Sequence, residues 1–276
     1  MRKAFSEQSR IVEQAAGRLR VAYDVGQLHD LRVAMRRLRS LLKQHGKRRA
    51  RRWRRIWGSF ARVTGRARDW DVFLEAADAL LEPSQRSAFR AASLSRVQAA
   101  HDAVRAMLQS AAWERHLDEW QAYAAAASRY HRHAGRNRRS RASISVHTLK
   151  PALVRANRAL AGALALPDDS GWHPFRIAVK ELRYQADRLA DGTGRPPEPQ
   201  AVITTCKEFQ AQLGGWHDCV VQLQLLDELQ PAAGANDPLL RELRDRIEAL
   251  RRERLAGIRE ALARQYLLQP PKGVNG

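Results

Sequence analysis

The segment that most constrains this chain is Leu28–Lys43, LHDLRVAMRRLRSLLK, because winding it into a helix separates two kinds of chemistry. At about 100° per residue, His29, Arg32, Arg36, Arg39 and Lys43 fall within an arc of roughly 80°. Leu31, Met35, Leu38 and Leu42 fall on the opposite side within roughly 60°, the spacing of a core-facing seam. A charged row is ordinarily a solvated face, but solvated faces mix signs, since Glu–Lys pairs four residues apart support a helix and like charges weaken it. The face that carries this row has no acid. Five basic groups along about 21 Å of helix repel one another and call for something anionic to compensate them.

The chain carries a second copy. Trp172–Ala186, WHPFRIAVKELRYQA, aligns His173 with His29, Arg176 with Arg32, Lys180 with Arg36 and Arg183 with Arg39. Phe175, Val179 and Leu182 take the apolar places of Leu31, Met35 and Leu38, so the two-faced design repeats together with its charges. Tyr184 lies beside this second stripe, where its hydroxyl can donate to a phosphate oxygen.

Between Leu31 and Arg68 stand fifteen Lys or Arg and no Asp or Glu, which makes this stretch the electrostatic centre of the molecule. Within GKRRARRWRRIWGSFARVTG, Trp53, Ile56, Trp57, Phe60 and Val63 form an apolar face of roughly 120°, while Arg48, Arg51, Arg55 and Arg62 lie opposite. Aromatics interleaved with cations suit single-stranded nucleic acid, where bases stack on exposed rings. Here the rings gather on the face away from the arginines, and the expectation is core.

The whole chain of 276 residues carries 49 Lys or Arg against 29 Asp or Glu, a formal charge of +20, and 44% hydrophobic residues. That is enough apolar material for a real core in one large domain or two moderate ones. The charge points to a polyanion, whether nucleic acid, an anionic membrane surface or a phosphate polymer. Cys206 and Cys219 lack flanking ligands at zinc spacing and are expected reduced and buried. The N-terminus lacks a secretory apolar run and no segment suits a bilayer, so the expected compartment is the cytoplasm, without a membrane partner.

Four blocks together resemble the CHAD family, the conserved histidine alpha-helical domain. They are H-x-x-R-V-x-x-R-R-x-R from His29, H-x-x-R-I-x-x-K-x-L-R-Y from His173, GRARDWDV at Gly65–Val72 and LGGWHDCVV at Leu213–Val221. They occur in the family's order, and the resemblance extends from about Glu7 to about Arg264. It implies a phosin-type binder of inorganic polyphosphate, often found at polyphosphate granules, with the two stripes facing one basic cavity.

No segment alternates with period two, so the expected fold is all-α: two duplicated helical bundles with pseudo-twofold symmetry around a central basic cavity. Residues 1–134 form the first bundle, 135–143 (GRNRRSRAS) a basic linker, 144–266 the second bundle and 267–276 a disordered tail. Ser6 is read as the N-cap of the first helix, and Gly26 as its end. Asp69, Asp71 and Asp218 follow Gly-containing breaks and are read as helix caps or dipole partners rather than metal ligands, with Arg68 as a local charge partner. His101 and His116 are read as ordinary histidines, and His131 and His133 point to different sides of a helix.

The expected polyphosphate-binding set is therefore His29, Arg32, Arg36, Arg39, Lys43, Arg48, Arg51, Arg55, His173, Arg176, Lys180, Arg183, Tyr184 and Lys207, the last read as opening a helix to Leu213. Arg forks suit nonbridging oxygens, and Lys serves as a point charge. Histidines beside a polyanion favour their charged form, which predicts tighter binding as pH falls from about 8 toward 6. Neither a metal nor a cofactor is expected. CHAD regions fused to triphosphatase domains accompany an E-x-E-x-K signature that this chain lacks, as it lacks a phosphate loop, H-E-x-x-H and a nucleophile elbow. Binding is thus favoured over catalysis. Nucleic acid remains the competing polyanion through sequence-blind RNA or DNA binding, with a polyphosphate hydrolase behind it. No interface between copies is singled out.

Overall fold

The computed structural model describes residues 2–43, 48–134, 149–166, 168–190, 197–229 and 237–264. Among them are nine α-helices and no strand, in keeping with the all-α expectation. In chain order they are α1 (Arg2–Val21), α2 (Val25–Lys43), α3 (Arg48–Leu80), α4 (Pro83–Gln109), α5 (Ala111–Ala134), α6 (Lys150–Ala165), α7 (Trp172–Ala190), α8 (Pro197–Asp227) and α9 (Pro238–Arg264). The chain divides into two compact units, residues 1–136 with 227–243, and residues 137–226 with 244–276. Residues 227–243, which sequence places in the second bundle, thus cluster with the first unit. The linker 135–143 and the tail 267–276 lie outside the described residues.

In the first unit α2 packs between α1 and α3, and α4 rests on α3. The seam of α2 is buried as its periodicity demands, with Leu28, Leu31, Ala34, Met35, Leu38 and Leu42 all inside. The α3 indoles Trp53 and Trp57 are also buried. Trp57 meets Trp113 and Trp120 of α5 edge to face, at ring-centroid distances of 6.2 and 5.3 Å. Trp53 and Trp57 of the aromatic face are therefore core, and Ile56, Phe60 and Val63 are half-buried. In the second unit Trp172, Phe175, Val179, Leu182, Ala186 and Leu189 of α7 meet Leu153 and Ala156 of α6, Ile203, Phe209, Leu213 and Trp216 of α8, and Leu255 and Ile258 of α9. Gly171 permits the close approach of α6 and α7: a Cβ there would lie 2.5 Å from the Ala163 Cα.

Several sequence-based boundaries are corrected. The first helix begins at Arg2, so Ser6 is interior rather than a cap, and it ends at Val21. Gly26 lies in the first turn of α2, where the Asp24 carboxylate accepts the Gln27 N–H at 2.7 Å and acts as the cap. Gly65 interrupts nothing, because α3 runs unbroken for 33 residues with Asp69 and Asp71 in its interior. Likewise α8 passes through Gly214, Gly215 and Asp218 without a break. The carboxylates therefore do not cap helices, and Lys207 lies inside α8 rather than at its start. Prolines at positions 197 and 199 are compatible with α8 because the first turn needs no N–H donors.

Candidate functional site

The first stripe is built by α2 crossing α3 antiparallel, and the glycines of α3 mark the crossing. A Cβ on Gly65 would lie 3.4 Å from Nη1 of Arg32, and one on Gly58 would lie 3.6 Å from Nη2 of Arg39. Arg32 and Arg39 are two turns apart, as are Gly58 and Gly65, so each arginine lies across bare helix backbone. Nη1 of Arg32 donates to the Ala61 carbonyl at 3.0 Å and to Thr64 Oγ1 at 3.3 Å. A Cβ at either position would sit in ordinary van der Waals contact with the guanidinium, so these glycines mark where the arginines cross α3.

Burial pushes the Arg32 guanidinium below its ordinary pKa, Asp69 opposes that, and Arg36 and Arg68 reinforce it. Arg39 is lowered in the same way by burial and then by Arg54 and Arg62. The cations gathered around the α2 stripe are thus Arg54, Arg62 and Arg68. Arg48, Arg51 and Arg55 are exposed and stand roughly 80°, 20° and 60° from the direction of Gly58, on the shoulder of the face that meets α2. His29, Arg36, Arg39 and Lys43 are exposed on α2 as expected.

Below this stripe the buried Asp71 carboxylate accepts from Tyr23 Oη at 2.8 Å and meets His101 Nε2 at 3.1 Å. The Tyr23 and His101 rings stack at 3.5 Å, so the α1–α2 connection, α3 and α4 are joined at one point. Asp71 is thus a tertiary anchor rather than a cap, and His101, read from sequence as ordinary, is one of its partners. Burial and Asp71 drive the Tyr23 hydroxyl pKa upward.

The second stripe repeats the design with different parts. His173 is exposed, while Arg176, Lys180, Arg183 and Tyr184 are half-buried. Arg176 is lowered by burial and opposed by Asp218, as Arg32 is opposed by Asp69. The Arg183 guanidinium carbon lies 5.1 Å from the Tyr184 ring centroid. Lys207 is exposed on α8, about 15 Å of helix rise before His217. The residue missed by sequence reasoning is His217, whose ring lies 5.1 Å from that of His173. Three nitrogens here, Arg176 Nε, Arg183 Nε and His217 Nδ1, are buried without a hydrogen-bond partner among the described residues.

Burial, then Arg176, His173 and Lys180, hold the His217 imidazole down to about 4 from an ordinary 6.5. It is therefore neutral near pH 7. The folded pKa lies below the unfolded one, so its contribution to stability is complete above about pH 6.5 and is lost as pH falls toward about 4. Urea midpoints of wild type and His217→Gln are expected to show the wild-type advantage shrinking between pH 6.5 and 4.5; a constant gap would exclude a neutral buried imidazole. Loss of solvation raises the Asp218 carboxyl, against the pull of Arg176, Arg254 and Lys180. Cys206 and Cys219 are buried free thiols, and burial pushes Cys206 up to about 12.

Among the described residues, no three His, Cys, Asp or Glu side chains converge to hold a metal ion, and no helix is long and apolar enough to cross a membrane. What the fold and site define is a helical protein with two preorganised cationic stripes, each set against a helix bearing a Gly-x-x-x-Asp segment. A family model described as the CHAD domain matches residues 3–227. This chain belongs to the CHAD domain family. It is similar in fold to the crystal structure of the CHAD domain from the plant Ricinus communis, with 22% identity, a TM-score of 0.70, and coverage of 99% of this chain and 93% of that one. No curated protein matches the chain.

Proposed function

We propose that this protein binds inorganic polyphosphate without catalysing its turnover, as a phosin-type cytoplasmic protein associated with polyphosphate granules. The observation that carries the reading is the set of partnerless nitrogens on the second stripe, Arg176 Nε, Arg183 Nε and His217 Nδ1. A buried polar group without a partner costs about 1–3 kcal/mol, and an anionic oxygen arriving at the stripe supplies the acceptor. The matching first stripe, with Arg32 and Arg39 held over glycines, extends the same chemistry to the other unit.

A flexible chain of phosphates offers closely spaced charge and no bases, which suits cation rows lacking stacking surfaces. Burial of Trp53 and Trp57 removes the feature that most favoured nucleic acid. Isothermal titration with long-chain polyphosphate at about 0.15 M salt, beside RNA of matched total charge, tests the reading. Tight binding to polyphosphate and much weaker binding to RNA is expected. Equal and steeply salt-dependent binding to both would make the +20 charge a generic polyanion trap.

A further inference from the structure

Superimposing the two Gly-x-x-x-Asp segments, Gly65–Asp69 and Gly214–Asp218, places His217 opposite Arg68. Between their common glycine and aspartate the segments differ at three positions, Arg66/Gly215, Ala67/Trp216 and Arg68/His217, and the last sets a permanent cation against a titratable ring. Arg68 carries a permanent charge within electrostatic reach of Arg32 and Tyr23. Its counterpart is a titratable ring whose Nδ1 is buried without a hydrogen-bond partner among the described residues.

We infer that His217 contacts the phosphate ligand in the second unit and takes up a proton as the ligand arrives, doing conditionally what Arg68 does permanently in the first. The inference rests on the polyphosphate reading. The groups around His217 are His173, Arg176 and Lys180 on α7, together with Asp218 on α8. From α9, Arg254 crosses Gly215 and reaches Asp218. In the free protein the α7 cations and burial oppose a charge on the imidazole, which is why the ring is neutral at pH 7.

A phosphate oxygen works against these influences. Its charge offsets the α7 cations, and a charge-assisted hydrogen bond from Nδ1–H favours the imidazolium over the neutral tautomers. One proton moves from solvent to the imidazole, and no covalent bond changes. By linkage, raising the imidazole pKa by about one unit on binding makes affinity about ten-fold greater at the acid end of the window than at the alkaline end. The window lies below pH 6.5 and extends toward about 4, more acidic than the range in which an ordinary imidazole titrates.

Calorimetric titration of long-chain polyphosphate at about pH 4.5, midway between the free and bound midpoints, in two buffers of different ionisation enthalpy, counts protons taken up per binding event. His217→Gln and His217→Arg are both expected to lose the same share of uptake. His217→Arg should bind at least as tightly as wild type at neutral pH, and His217→Gln several-fold more weakly. In wild type, the His217 imidazole NMR signal should titrate near about 4 alone and about one unit or more higher with saturating tripolyphosphate. Binding with uptake unchanged in both variants, or an unmoved NMR midpoint, overturns the role of His217 and leaves the polyphosphate reading intact. Loss of uptake in Asp218→Asn but not in the His217 variants assigns the proton to the carboxyl and overturns it too. If wild type binds no polyphosphate, both readings fall.

Discussion

Alanine at Arg32, Arg36, Arg176 and Lys180 together is expected to weaken polyphosphate binding by about a thousand-fold. Each cation loses a charge-assisted contact with a net value of about 1 kcal/mol or more, and about 4 kcal/mol in total corresponds to roughly that ratio. Stability of the ligand-free protein should respond differently from residue to residue. Arg36 is exposed on a like-charged row, so its removal relieves repulsion and leaves the melting temperature level or higher. Arg32 also ties α2 to α3 through the Ala61 carbonyl and Thr64, so Arg32→Ala alone should cost about 1 kcal/mol. Wild type should gain melting temperature with added polyphosphate, and the four-fold variant should lose most of that gain. Calorimetry and thermal melts with and without ligand decide the matter. Lost ligand-free stability with affinity intact would move the stripes from the binding site into the scaffold.

The stripes were legible because helical periodicity is strict enough to sort one face from another, and the buried seam of α2 follows it residue by residue. What α3 contributes was less legible. The row Arg48, Arg51, Arg55 and Arg62 opposes the indoles on the helical wheel, and the wheel alone does not say how each of them stands toward α2. The signal was in the register: glycines at 58 and 65 match the two-turn spacing of Arg32 and Arg39 on the antiparallel partner. Read alone, a glycine four residues before an acid looks like a helix stop and a cap. In the folded protein Gly65 lies in the interior of an unbroken α3, with the Arg32 guanidinium in contact beside it.

His217 was hidden for a related reason. The aspartate is the family-like feature of the LGGWHDCVV block, whereas aligning the two Gly-x-x-x-Asp segments sets a histidine against an arginine at one of their three differing positions. The Asp71–Tyr23–His101 junction had no such trace, since its members come from three separate elements whose meeting is a tertiary fact. The grouping of residues 227–243 with the first unit is of the same kind, because duplication predicts like halves and does not predict an exchange of segments.

Trp120→Ala is expected to cost about 4 kcal/mol, a large part of the 5–15 kcal/mol typical of a folded domain. Trp120 is fully buried, and its ring lies 5.2 Å from Trp53 and 5.3 Å from Trp57, centroid to centroid, both near edge-to-face. Its Nε1 donates to buried Ser9 Oγ at 2.8 Å, and Ser9 donates in turn to the Phe5 carbonyl at 2.8 Å, joining α5 to α1. Trp120→Phe keeps most of the apolar volume and loses the hydrogen bond, so it should cost about 1–2 kcal/mol. Urea unfolding followed by circular dichroism gives both values. Because these indoles fill a core, Trp120→Phe should leave polyphosphate and RNA affinities unchanged wherever the protein is folded. A Trp120→Phe protein of wild-type stability that bound RNA ten-fold more weakly would instead make the ring a stacking surface, and would turn the basic hairpin toward nucleic acid.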